Sequence, residues 1–419
     1  MEKLLQYVWR HKLFPLGDLT TTDGFPLEVI DPGQQNTDAG PDFFNAKIKI
    51  NGTLWVGNVE VHLKSSFWYS HHHHTDKNYN NVVLHVAEII DTDVQTEAGD
   101  YLPQLCLTIP PALKENYTEL LNADRYPPCY KIIPNLSNLM VHSWMSVLQT
   151  ERLEEKTQRI INIVNRCAGD WEKAYFVTVC RNFGFGINAE AFEQYAINFP
   201  LNEVAHHKDD IFQVEAFFLG QSGLLGRLSG DYVERLKTEY TYLRHKFSVE
   251  PEPPEIWKFL RLRPNNFPYI RISQLANLYF EGKMGLSQLL DCQTLKDVKK
   301  LYTTHASPLF NNEKKLSASS AEILIINTAV PMLFAYGRHV GKSEFCDRAF
   351  TFLEQLKGEN NHILTVWQEC GLNVSTAGDS QALIQLKKEY CDKRDCLRCR
   401  IGYEFLKRRT QMSNLVTER

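Results

Sequence analysis

From residue 43 the chain alternates. Ala46, Ile48 and Ile50 are apolar with Lys47 and Lys49 between them, Asn51-Gly52 follows, and a second run extends from Leu54 to Leu63. A period of two belongs to strands with one face buried, and an Asn-Gly pair supplies the positive-φ positions of a tight hairpin turn. Asn81 to Ile90 predicts a third strand and Leu105 to Ile109 a fourth, stopped by Pro110 and Pro111. From Ser137 the spacing changes to three and four: Val141, Trp144, Met145, Leu148, Leu153, Ile160, Ile161 and Ile163 describe one apolar helix face. Helical text recurs through 189–195, 210–219, 231–246, 272–302, 321–337, 343–356 and 380–390. The pattern predicts an α+β chain in three parts. An N-terminal α/β domain with a small mixed sheet covers 1–130. A mostly α-helical region follows, divided by Pro251, Pro253 and Pro254 into 131–250 and 251–419.

Composition narrows the class. With 419 residues, 43% of them hydrophobic and 23% charged, the chain can bury sizeable cores and is not a disordered one. A formal charge of -4 offers no broad positive field, so nucleic-acid binding has to come from a local basic cleft. Ile323 to Tyr336 is apolar but contains Asn327 and Pro331. A membrane span needs roughly 20 apolar residues, so this stretch reads as a buried helix with a proline bend. Ten cysteines are too dilute for a disulfide scaffold in a chain of this length. No export signal is evident at the N-terminus, and a cytoplasmic location without membrane contact is the expectation.

The candidate chemistry lies around the hairpin. Gly40-Pro41-Asp42-Phe43 precedes its first strand, and Glu60, His62 and Lys64 share one face of the second. Asp42 and Glu60 could converge on a hard divalent cation, Mg2+ or Mn2+. His62 or Lys64 could then activate the attacking water and neutralise charge on a phosphate. Asp31, Asn36 and Asp38 crowd the approach to Asp42 as turn residues or cleft wall. His85, inside the third strand, falls beside the Glu60 face and is either a core histidine or a further metal or phosphate contact. Of the run His71 to His74, one or two members could reach the cleft, because consecutive residues do not all point at one ion.

A second group sits near the C-terminus. Cys391-x4-Cys396-x2-Cys399 follows a helix and offers three thiols to a soft metal, Zn2+ or an iron-sulfur cluster, with Cys370 or His362 available as a fourth ligand. Residues 387 to 409 hold nine Lys or Arg against four acids, among them Lys393, Arg394, Arg398, Arg408 and Arg409. With Arg263 and Arg271, these are candidate contacts to a phosphate backbone or simply solvated or helix-pinning charges.

The Pro-Asp pair followed by a glutamate and a basic residue on one strand face resembles the PD-(D/E)xK nuclease superfamily. The resemblance implies that Asp42 and Glu60 bind metal. That family's water-activating lysine stands two positions after the glutamate, where this chain has His62, and the lysine appears at Lys64. Taken with Leu5-x-Tyr7-x-Trp9, Trp55-x-Gly57-Asn58 and Asn188-Ala189-Glu190-Ala191-Phe192, the whole chain is similar to the DUF2851 family, which names no activity. Phe67 stands where that family's pattern has Asp. The expectation is a metal-dependent nuclease-like protein hydrolysing phosphodiester bonds in DNA or RNA. The alternatives are a non-catalytic nucleic-acid-binding or scaffold protein and a metal-dependent hydrolase of a small substrate.

Overall fold

The structure is a computed structural model that describes residues 1–15, 17, 19–307, 309–310 and 314–407. Arg408 and Arg409 of the basic run lie outside the described residues. The chain divides into two units. One is made of residues 1–136 and 387–419, the other of 137–386.

The first unit is built on a six-stranded mixed sheet. After helix α1 (Glu2–Arg10) come β1 (Leu27–Asp31), β2 (Gln34–Gln35), β3 (Phe43–Ile50), β4 (Thr53–Lys64), β5 (Val82–Ile89) and β6 (Gln104–Cys106). The order is β1-β3-β4-β5-β6, with β2 also paired to β3. β3 and β4 form the expected antiparallel hairpin, and Asn51 and Gly52 take the positive φ values of +47° and +81° that its turn requires. β5 and β6 then run parallel to their neighbours. A parallel pair cannot be closed by a tight turn, so residues 65–81 cross over between β4 and β5. Within that crossover lies the short helix α2 (Phe67–Ser70). The buried Leu4, Leu5 and Val8 of α1 give the helix an apolar side, and α1 packs on β4. Trp9 fixes the helix by donating from Nε1 to the Pro32 carbonyl at 3.0 Å. The α+β class, a sheet followed by a mostly helical region, is what the alternation and spacing predicted.

The second unit begins with α4 (Asn138–Arg166), after α3 (Pro111–Leu121) of the first unit. One apolar core runs through it from Leu153 to Ala377. The division expected at residue 250 is therefore not a boundary. The proline run is a strap: Glu252 donates its amide to the Gln221 carbonyl at 2.8 Å and is buried, accepting from Gln194 and Asn198, both at 2.7 Å. Trp257 beyond it packs edge-on against Phe192. The apolar stretch expected as a bent helix is continuous over Ala318–Val340, with a π-helical turn at Ile325–Ala329. It is long and apolar enough to cross a membrane, yet 61% of its most apolar window is buried in the unit. Pro331 has no N–H to offer the Asn327 carbonyl, which accepts instead from Asn182 Nδ2 at 3.0 Å.

Candidate metal centre

Pairing register sets the first two groups. Phe43 faces Val59 across the hairpin, so Asp42, one residue earlier, arrives beside Glu60. The two strands interlock through these side chains. The Asp42 amide donates to Glu60 Oε2 at 3.0 Å, and the Val61 amide donates to Asp42 Oδ2 at 3.1 Å. Both carboxyls are largely withdrawn from water. Burial, and secondarily the charge of Glu60, pushes Asp42 up to about 7, against the lowering effect of hydrogen bonds from Val61 and Gln6. Burial pushes Glu60 up to about 8.

His62 follows Glu60 by two and is 1% exposed. Its ring orientation is set by a chain of partners that starts on β6. Gln104 Nε2 donates to the Thr92 carbonyl at 3.0 Å, which turns its Oε1 toward His85 Nδ1 at 3.1 Å. His85 Nδ1 must then carry the proton, so its Nε2 accepts from His62 Nδ1 at 2.9 Å. This leaves the lone pair of His62 on Nε2. Burial and the surrounding imidazoles push His62 down to about 2, so the ring is neutral.

The crossover delivers the remaining donors. Trp68 is fully buried and donates from Nε1 to the Gln95 carbonyl at 2.8 Å, anchoring the segment. The His73 ring stacks on Tyr79 with centroids 3.9 Å apart and meets Trp68 edge-on. His72 takes a left-handed φ of +64°, and the chain reverses around it so that His71 and His73 point to the same place. His62 Nε2 lies 3.2 Å from His71 Nδ1 and 3.4 Å from Glu60 Oε1, and His73 Nε2 lies 3.3 Å from the same oxygen. One ring nitrogen from each of His62, His71 and His73 falls within 4.8 Å of the others. His73 Nε2 is buried with no hydrogen-bond partner.

Four donors about 2.0–2.1 Å from a central ion in a tetrahedron are about 3.3–3.4 Å apart. The His62–His71, His62–Glu60 and His73–Glu60 contacts stand near that spacing, while Glu60 falls outside the trio of imidazoles whose nitrogens all lie within 4.8 Å of one another. Three imidazoles and one carboxylate suit Mn2+, Fe2+ or Zn2+ better than Mg2+, which prefers oxygen ligands and retained water. His85 does not join the set as a ligand, because both its ring nitrogens are engaged in orienting His62. Gln104 and His85 are thus the outer partners that fix a ligand's tautomer.

Lys64 shares the parity of Glu60 but is exposed, as the last residue of β4. It is not among the groups bonded to Glu60 or His62, so the basic role expected of it has no geometry here. His62 is a weak base, since burial holds its ring neutral and its Nε2 lies against His71 and Glu60. His71 and His73 were visible only as members of a four-histidine run, and Gln104 carried no signal at all.

A cleft of about 480 Å³ adjoins Asp42. Gln6, which bonds the Asp42 carboxyl, lines it, and so does Asn36, whose amide donates to the Asp42 carbonyl at 2.7 Å. Lys3, Arg10, Lys393, Arg394 and Arg398 line it against a single acid, Asp395. Lys393, Arg394 and Arg398 therefore face the cleft, although Arg398 pairs with Asp395 at 3.2 Å and Lys393 with Glu389. Arg263 and Arg271 belong to the other unit. Arg263 is exposed. Arg271 is 5% exposed, donates to Gln274 and Asn266, and lies over the Phe185 ring, so it pins helix ends rather than meeting a phosphate chain.

The model of the family described as protein of unknown function (DUF2851) matches residues 2–362, and the chain belongs to that family. No curated protein and no solved structure matches it.

Proposed function

We propose that this DUF2851 protein is a metal-dependent hydrolase that cleaves phosphodiester bonds in DNA or RNA, with its ion held by Glu60, His62, His71 and His73. The reading rests on three imidazole nitrogens within 4.8 Å of one another, with Glu60 against two of them and linked through Asp42 and Gln6 to a cleft lined by five basic side chains. When bound, a divalent ion there would supply Lewis acidity, with water or a phosphate oxygen as a fifth ligand beyond the four protein donors. The chain's own groups do the rest. Lys3, Arg10, Lys393, Arg394 and Arg398 hold the phosphate backbone along the cleft. Asp42, raised to about 7, sits near neutrality and accepts a proton from the attacking water. Gln6 and the Val61 amide hold its carboxyl in place while it does so. The departure of His62 from the lysine of the nuclease pattern then has a reason: the position gives a ligand, and the base moves to Asp42.

The volume of the cleft favours one other reading, since about 480 Å³ also fits a small phosphate ester. One assay separates them. Purified protein is incubated with Mn2+, Zn2+ or Mg2+ supplied singly, on single- and double-stranded DNA and RNA and on a panel of small phosphate esters. Polynucleotide cleavage with Mn2+ or Zn2+, lost in Asp42→Asn, supports the proposal. Turnover of small esters alone moves the function to the second reading, and no hydrolysis of either class with any ion contradicts both.

A further inference from the structure

The three clustered cysteines acquire a fourth from far away in sequence. Cys129 lies in the turn region after α3, in the same unit as residues 387–407. None of the ten cysteines forms a disulfide, and Cys129 and Cys399 are buried. Lys387 Nζ lies over the Tyr126 ring, 5.1 Å from its centroid, which sets the two segments side by side, and the Cys129 thiol lies near enough to Cys391, Cys396 and Cys399 to interact with them electrostatically. Tyr126, three residues before Cys129, is hydrogen-bonded to Cys391.

The backbone is shaped to present them. A π-helical turn ends at Cys391, the Asp395 amide donates to the Tyr390 carbonyl at 2.8 Å, and Arg394 takes a left-handed φ of +52°. The next turn closes with the Cys399 amide on the Cys396 carbonyl at 3.3 Å. The helix that follows crosses so tightly that a Cβ on Gly402 would lie 2.1 Å from the Cys396 carbonyl oxygen. The segment is docked on α3: Asn116 donates to the Leu406 carbonyl at 3.1 Å in a buried contact, and Arg394 donates to the Leu121 carbonyl.

We propose that Cys129, Cys391, Cys396 and Cys399 ligate a single [4Fe–4S] cluster that staples the end of the chain to the turn region after α3. Four thiols outside any disulfide, gathered from two separate segments and two of them buried, are the donor set of a soft metal centre. Spacing selects the cluster over zinc. Four sulfurs on one Zn2+ stand about 3.8 Å apart, whereas four on a cubane cluster stand about 6.4 Å apart. Among the described residues, the group of ligand atoms within 4.8 Å of one another is that of the three histidines, and the thiols are spread more widely. Four thiolates on such a cluster leave a net negative charge, and residues 387–407 carry seven Lys or Arg against four acids to balance it. This inference stands independently of the hydrolase reading.

The test uses full-length, tag-free protein purified without oxygen and reconstituted with iron and sulfide. About four iron and four acid-labile sulfide per chain, with absorbance near 400 nm, are expected for the wild type and for Cys106→Ser, which alters an exposed thiol of the same unit. Cys129→Ser should lose the iron at least fourfold. Should that variant fail to fold, iron-edge X-ray absorption of the wild type decides, because a cubane shows both Fe–S and short Fe–Fe distances. Folded wild type without iron, about one zinc in its place, or full iron in folded Cys129→Ser would each overturn the cluster.

Discussion

Two buried ionisable clusters, one in each unit, look alike by charge perturbation and differ in what they leave unsatisfied. In the helical unit Lys156 is fully enclosed, and burial pulls it down to about 7. Its three donors meet three acceptors: Gln381 Oε1 at 2.7 Å, Asn327 Oδ1 at 3.0 Å and the Ile326 carbonyl at 3.3 Å. Glu215 in the same unit accepts from Tyr232 at 2.6 Å and Ser307 at 3.1 Å. In the sheet unit the opposite holds. Glu60 Oε1, the lone pair of His62 and the unpartnered Nε2 of His73 are directed at one another. A shifted pKa marks both places. Convergent groups of potential metal donors make only the second a candidate site for an ion.

The sharpest break of this contrast comes from Glu60→Gln, which keeps the acceptor for the Asp42 amide and removes one ligand charge. Phosphodiester cleavage with Mn2+ should fall at least ~100-fold with the fold intact by circular dichroism. An unchanged rate would detach the activity from this centre. His85→Phe leaves the four donors and frees the His62 ring to rotate, so Mn2+ affinity by calorimetry should drop roughly 10–100-fold. Gln104→Leu should act in the same direction, and wild-type affinity in both would deny the orienting chain.

In the helical unit the expected effect is on stability alone. Lys156→Met removes three hydrogen bonds, leaving Gln381 Oε1 with Arg152 as its remaining donor, at a cost of about 1–3 kcal/mol in denaturant unfolding, and should not alter Mn2+ binding. The wild type carries a pH signature there. The folded value of about 7 lies below the unfolded value of 10.5, so the unfolded chain binds the extra proton between them, and this group makes stability rise as pH climbs through that window. Lys156→Met should lose that rise, seen by comparing unfolding at pH 7 and pH 10 with the wild type. The smallest effect belongs to Lys64→Ala, which should change cleavage by no more than about threefold, since an exposed charge outside the donor group contributes little. A larger loss would restore Lys64 to the site.

How much of this was legible follows from how far each contact reaches along the chain. The hairpin was readable because Asn51-Gly52 is a local signal, and the meeting of Asp42 with Glu60 followed from strand parity across it. Parity also put His85 level with Glu60, and the two are register partners on β4 and β5. It named the right face for Lys64, but the exposure of that last residue of β4 is a three-dimensional fact. His71 and His73 converge through a left-handed residue between them, which histidine does not advertise. The break at Pro251–Pro254 misled because a proline-rich strap over a core has the same composition as a linker. Cys129 could not be paired with Cys391 from spacing at all, since the whole helical unit lies between them in sequence.

The central claim is that His62, His71, His73 and Glu60 hold one divalent ion, and equilibrium dialysis against Mn2+ addresses it most directly, because thiolate sites compete poorly for that ion. About one Mn2+ per chain is expected in the wild type, and none retained at the same free concentration in folded His73→Ala. Equal Mn2+ in both proteins, or none in the wild type, would contradict it.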